Sequence, residues 1–111
     1  MARSMTENSF WILTSLAGGR RHGYEILQET ATTAALKATT LYAALERLER
    51  EGLVRADGEE VVSGRTRRYF ALTDEGSSAL GAEADELEKR AQIAKERLAA
   101  RPALRPVRGI A

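Results

Sequence analysis

Arg65, Arg67 and Arg68 lie within four residues of one another, and no acidic residue falls between Val61 and Leu72, so this stretch carries a local charge of +3 in a chain whose formal net charge is +1. Guanidinium forks match the oxygens of phosphate, and such a concentration reads as a phosphate footprint, with a solvated edge as the plainer alternative. A second group, Thr39, Thr40 and Tyr42 with Arg47 further on, offers hydroxyls and one cation along a single helix. At the N-terminal part of a docked helix such groups meet phosphates and base edges. The plainer reading of Tyr42 is packing between helices. That of Arg47 is an ion pair with Glu51 at i+4.

Catalysis finds little to work with. There is no cysteine, His22 is the only histidine, and no Gly-rich phosphate loop or metal-ligand spacing occurs. His22 is expected to be structural, at a helix start, and not a base or a ligand. The adjacent carboxylates Asp85 and Glu86, and Glu49 and Glu51, fall on helices expected to face water. The expectation is a non-enzyme with no cofactor. At 111 residues the chain reads as a domain with a modest core, and MARSMTENS has no apolar h-region. No apolar run approaches the roughly 18 residues of a membrane span, so a cytoplasmic protein is expected, away from membranes.

The elements that must position these residues follow from period and punctuation. Thr6 is placed to cap a helix to about Leu16, apolar on nearly every side, with Glu7 in its first turn and Gly18-Gly19 to stop it. Such a helix is buried on more than one face, one toward the core and another toward a partner chain. Gly23 precedes a second helix with Tyr24, Ile26 and Leu27 as its apolar positions, ending near Thr30 to Thr33. From Thr39 to Leu53, Leu41, Leu45 and Leu48 fall at i, i+4 and i+7, and Gly52 stands where a left-handed C-cap belongs. Three such helices outline a helix-turn-helix.

Beyond Gly52 the texture turns β-like. Leu53 and Val54 begin a strand, Asp57 and Gly58 interrupt it, and Ser63-Gly64 form the turn before a second strand, RTRRYFAL. Two strands after a helix-turn-helix make a winged helix. Thr73 then caps a long helix with Asp74 and Glu75 at its positive end. Along it Leu80, Ala84, Leu87, Ala91, Ala94 and Leu98 are spaced 4, 3, 4, 3 and 4, a heptad seam that requires another helix. Half of that seam is alanine, so it is expected to pack also on the first helix of a partner subunit. The organisation expected is a winged helix over 1–72, a dimerisation helix over 73–100, and a tail without fixed structure over 101–111, carrying Arg101, Arg105 and Arg108.

His22-Gly23-Tyr24-Glu25-Ile26, then Leu41-Tyr42 with Leu45-Glu46-Arg47-Leu48-Glu49 and Glu51-Gly52-Leu53-Val54, then Arg67-Arg68-Tyr69-Phe70 with Leu72-Thr73-Asp74-Glu75-Gly76, resemble the PadR family of bacterial transcriptional regulators. The resemblance implies a winged-helix homodimer on double-stranded DNA with inverted-repeat operators, usually a repressor, released by a small molecule or cellular signal. It also implies DNA contacts for Thr40, Tyr42 and the wing arginines. The single C-terminal helix resembles the short branch of the family. Two departures stand out. Lys37-Ala38-Thr39-Thr40 and Ala43 replace the family's usual Ser or Pro with Gly-Thr and its proline after Leu-Tyr. The C-terminal helix also lacks the tryptophan of members that stack flat drugs at the dimer centre.

Phe10 and Trp11 are then the candidates for an effector contact, against the plainer reading that they pack a core or interface. A rival to DNA reading is a winged-helix module that binds another protein. The wing arginines separate the two, since only the DNA reader predicts salt-steep affinity for a duplex.

Overall fold

The computed structural model describes residues 5–103. Arg105 and Arg108 of the tail lie outside that range. In chain order the elements are α1 (Glu7–Ala17), β1 (Arg21–His22), α2 (Gly23–Glu29), α3 (Ala38–Arg50), β2 (Val54–Val62), β3 (Arg65–Leu72) and α4 (Asp74–Ala100). The strands form one antiparallel sheet in the order β1-β3-β2. The fold is the expected one, four helices with a small sheet in a winged helix-turn-helix, followed by the long C-terminal helix.

Local chemistry sets most boundaries. The Ser9 amide donates to the Thr6 hydroxyl at 3.1 Å and the Gly76 amide to the Thr73 hydroxyl at 2.9 Å, so both expected caps satisfy donors left open at a helix start. At α2 His22 takes the same role. Its Nδ1 accepts from the Glu25 amide at 3.4 Å while the Glu25 carboxylate accepts from the His22 amide at 3.1 Å, a reciprocal capping box. Lys37 precedes α3 with no side-chain cap.

The core is built where the apolar stripes converge. Leu41, Leu45 and Leu48 are all at or below 1% exposed and pack with Ile12, Leu13 and Leu16 of α1, Ile26 of α2, Val54 and Phe70. Removing these side chains from water is the main source of stability.

Two expectations are corrected. The sheet has three strands, because Arg21 and His22 pair with Phe70 and Tyr69. Asp57 and Gly58 do interrupt β2, as expected. They form a bulge between Ala56 and Glu59 with Gly58 at φ +94°, and the strand continues. The bulge has a physical purpose. The register set by the Ser63-Gly64 turn would bring Asp57 opposite the core residue Phe70, whereas the bulge brings Ala56 there. Asp57 is freed to accept from Arg55 at 2.8 Å, and its carbonyl accepts from Arg20 at 2.8 Å. The second correction is that Tyr24 is not an apolar core position of α2, being 62% exposed while Ile26 is fully buried.

Candidate nucleic-acid interface

The outer surface of α3 is divided by charge. Thr39, Thr40, Tyr42 and Ala43 are exposed on its first two turns, and no acidic residue occurs between Thr30 and Leu45. Lys37 stands just before them. On the last turns Glu46 and Arg50 pair at 3.6 Å and cancel. The N-terminal half is therefore the part suited to a polyanion. Arg47 is partly withdrawn from that surface. Its Nη2 donates to the Ser9 hydroxyl oxygen of α1 at 2.6 Å and its Nε lies 3.9 Å from Glu51, the i+4 partner.

Tyr42 projects toward the start of α2 and is 47% exposed. Its ring lies so near Gly23 that a Cβ there would approach the phenol Cζ to 2.6 Å. Gly23 thus allows α2 and α3 to close on each other with the phenol between them. One side of the ring packs at the start of α2 and the rest faces solvent.

The wing reaches the same place. Ser63 at φ +52° and Gly64 at φ +76° make the two-residue turn that matches the twist of a hairpin. Side chains along β3 alternate, so Thr66, Arg68 and Phe70 share the face toward the helices, and Arg65, Arg67 and Tyr69 share the other. Arg68 lies over the Phe70 ring at 5.3 Å and Arg20 over Tyr69 at 4.1 Å. Across the hairpin Glu59 is opposite Arg68 and Glu60 is opposite Arg67. The three wing arginines therefore do not form one bare cluster, because two of them stand beside a carboxylate.

Tyr24, Tyr42, Arg65, Thr66, Arg67 and Arg68 border one open groove whose floor is His22 and Gly23. The structure thus brings the wing arginines and Tyr42 together, whereas Thr39 and Thr40, nearer the start of α3, line a separate groove with Arg47. Tyr24 and Thr66 are additions. Tyr24 is recognisable from its period, since two positions from Ile26 are about 200° around a helix and point away from its face. Thr66 follows from the hairpin register.

A second surface lies where α1 meets α4. Phe10 and Trp11 are half-buried, stack edge to face at 5.1 Å, and line a smaller groove with Met5, Glu83, Leu87 and Arg90. On α4 the expected seam is open in the single chain. Leu80 packs at the margin of the core, Leu87 is 38% and Leu98 62% exposed, and Ala84, Ala91 and Ala94 are exposed. Among the described residues no group of His, Asp and Glu is placed to hold a metal ion, and no helix is long and apolar enough to cross a membrane.

A helix-turn-helix whose hydroxyl-bearing third helix and basic wing share one groove defines the winged-helix DNA-binding class. The matches to known proteins are narrower. Residues 12–82 match the transcriptional regulator PadR-like family, and the chain belongs to that family. A PadR family transcription regulator from hypervirulent Clostridium difficile R20291 is 28% identical, with a TM-score of 0.73 over 84% of this chain and 99% of the other. A protein of Streptococcus mutans UA159 is 25% identical, with a TM-score of 0.73 over 95% of this chain and all of the other. An uncharacterised protein of Lysinibacillus sphaericus is 38% identical over 64 residues, 54% of this chain and 59% of that relative. The chain thus matches less than two thirds of that relative's length.

Proposed function

We propose that this PadR-like regulator is a homodimeric repressor that binds inverted-repeat operators in duplex DNA and is released by a small molecule or a cellular signal. The observation that carries the reading is the shared groove, which Tyr24 and Tyr42 of two helices border together with Arg65, Arg67 and Arg68 of the wing. Thr39, Thr40 and Tyr42 enter the major groove at the N-terminal half of α3. Arg68, on the helix side of the wing, and Arg65 and Arg67 beyond it meet backbone or the adjacent minor groove. Tyr24 adds a hydroxyl at the phosphate between them. Arg47 reaches DNA only by leaving Ser9, so its contribution there is secondary.

Dimerisation through Leu80, Ala84, Leu87, Ala91, Ala94 and Leu98, with the first helix of the partner added, covers the open α4 seam. It also sets two recognition helices against half-sites about 34 to 36 Å apart. Phe10 and Trp11 border that seam, so an effector held against them changes the angle between the two heads.

The test is binding to the protein's own promoter region at several salt concentrations against an unrelated duplex of equal length. Competitor-resistant, salt-steep binding with a footprint over an inverted repeat supports the reading. Binding no tighter than to the unrelated duplex at every salt concentration rejects that promoter as the operator and favours a protein partner for the groove.

A further inference from the structure

We propose that Glu59 and Glu60 are specificity-determining residues that hold down the affinity of the wing for DNA of arbitrary sequence. The inference rests on the duplex-binding reading above and deepens it.

The observation is the hairpin register. Glu59 is directly opposite Arg68 and Glu60 directly opposite Arg67, on neighbouring antiparallel strands. Directly opposed residues project to the same side of the sheet with Cβ atoms only about 4.5 to 5.5 Å apart. Each glutamate therefore shares a face with its arginine, Glu59 on the side toward the helices, Glu60 on the reverse. All four side chains are exposed. Among the described residues neither arginine closes an ion pair with the glutamate opposite it. The guanidinium groups remain available, but each carries a negative charge alongside.

The consequence concerns phosphate. Binding of arbitrary sequence is almost entirely the release of counterions from phosphates met by cations, and it grows with the number of phosphates neutralised. A phosphate that approaches Arg67 or Arg68 also approaches Glu60 or Glu59, and the repulsion offsets part of the attraction. Three arginines against two glutamates leave the tip of the wing at +1, not the +3 that β3 alone suggests. The wing arginines border the groove and so contribute to whatever non-specific affinity the protein has. At an operator, base and backbone contacts of α3 supply binding that does not pass through this balance. The glutamates thereby keep weak sites weak.

The substitutions Glu59→Gln and Glu60→Gln, singly and together, keep the shape and remove the charge. A remote control, Glu96→Gln near the far end of α4, changes the net charge equally. The full chain is titrated with an unrelated duplex at several salt concentrations. For each wing glutamate the affinity is expected to rise on the order of three- to tenfold at low salt. The dependence of log K on log salt is expected to steepen by up to about 0.9 for each additional phosphate neutralised. The control is expected to do neither. Unchanged or weaker binding by both wing variants overturns the inference, and weaker binding means the carboxylates orient the arginines. A rise equalled by Glu96→Gln also overturns it, because net charge alone is then enough. If the wild-type chain shows no salt-dependent duplex binding, the reading beneath it fails as well, whereas normal wild-type binding with indifferent variants removes this inference alone.

Discussion

The phenol of Tyr42 occupies the space that a side chain on Gly23 would need, with Cζ 2.6 Å and Cε1 3.2 Å from the ideal Cβ position. Gly23 is the first residue of α2 and its backbone is in an ordinary conformation, so alanine there carries no backbone strain. What must give is the ring, the far end of a side chain with two rotatable bonds. Gly23→Ala is therefore expected to fold with little change in melting temperature and to lose operator affinity, by roughly tenfold if Tyr42 makes one good contact. A double-mutant cycle with Tyr42→Phe checks it. The two losses should be strongly non-additive, and full additivity would mean that Gly23 acts elsewhere.

Gly76 presents the opposite case. A Cβ there would collide with the Leu53 carbonyl oxygen and lie 2.9 Å from both the Leu53 carbonyl carbon and Leu72 Cδ1. The first of these obstacles is backbone at the junction of α3 and β2, and Thr73 is tied to the same turn by donating to the Gly52 carbonyl at 2.6 Å. No side-chain rotation relieves it. Gly76→Ala is expected to destabilise the chain by about 2 kcal/mol or more, read as a lower urea midpoint at unchanged slope. A change below about 0.5 kcal/mol would show that α4 can shift freely against the wing.

His22 is the only histidine, and its position is explained by capping. The reciprocal bonds with Glu25 close the start of α2, and the ring meets Tyr69 edge to face at 5.3 Å. His22→Ala removes the cap and the ring contact together, an expected loss of about 1 to 2 kcal/mol. His22→Asn restores the cap alone and should recover part of the loss in a thermal melt. No recovery would mean that the ring contact carries the whole effect.

These residues also mark what is legible in the sequence. Leu41, Leu45 and Leu48 announce a helix face by spacing alone, because burial of one stripe imposes its own period. Thr6, Thr73 and Ser63-Gly64 announce boundaries because caps and tight turns are local chemistry. β1 is invisible there, since two residues have no period and pair only because Tyr69 and Phe70 are already held in a sheet. The interruption at Asp57 and Gly58 is legible, but the reason the strand continues past it lies across the hairpin, at Phe70. The wing arginines, taken along one strand, stand unopposed. Counting back from the turn places Glu60 and Glu59 beside them. Whether Tyr42 packs or faces out is not decidable from residue type, and the geometry gives it both surroundings.

Arg47 is expected to stabilise more than it binds. Its bond to Ser9 joins α3 to α1, and Ser9 is only 3% exposed and already accepts from the Thr6 hydroxyl at 2.9 Å. Arg47→Met should lower stability by about 1 kcal/mol and leave the salt dependence of operator binding nearly unchanged. Arg67→Ala should leave stability within about 0.5 kcal/mol and reduce the salt slope by roughly 0.9. Equal reductions in slope for the two would place the Arg47 guanidinium on a phosphate in the complex.

The open α4 seam leads to the last expectation. Leu87 and Leu98 lie on a helix of 27 residues, most of it beyond the core, and a free stripe of this kind is stabilised when a second helix covers it. Because Ala84, Ala91 and Ala94 contribute little area, the two leucines should carry much of the association. Leu87→Asp with Leu98→Asp is expected to convert a dimer to a monomer in sedimentation. The melting of the winged-helix core should change little, since neither leucine belongs to it. Operator affinity should then fall at least a hundredfold, because two half-sites held by one dimer gain from effective concentration and a monomer does not. A variant that is monomeric yet binds the operator as tightly as the wild type would show that one head suffices. A variant that remains dimeric would move the interface from α4 to α1, where Phe10 and Trp11 are the next apolar surface.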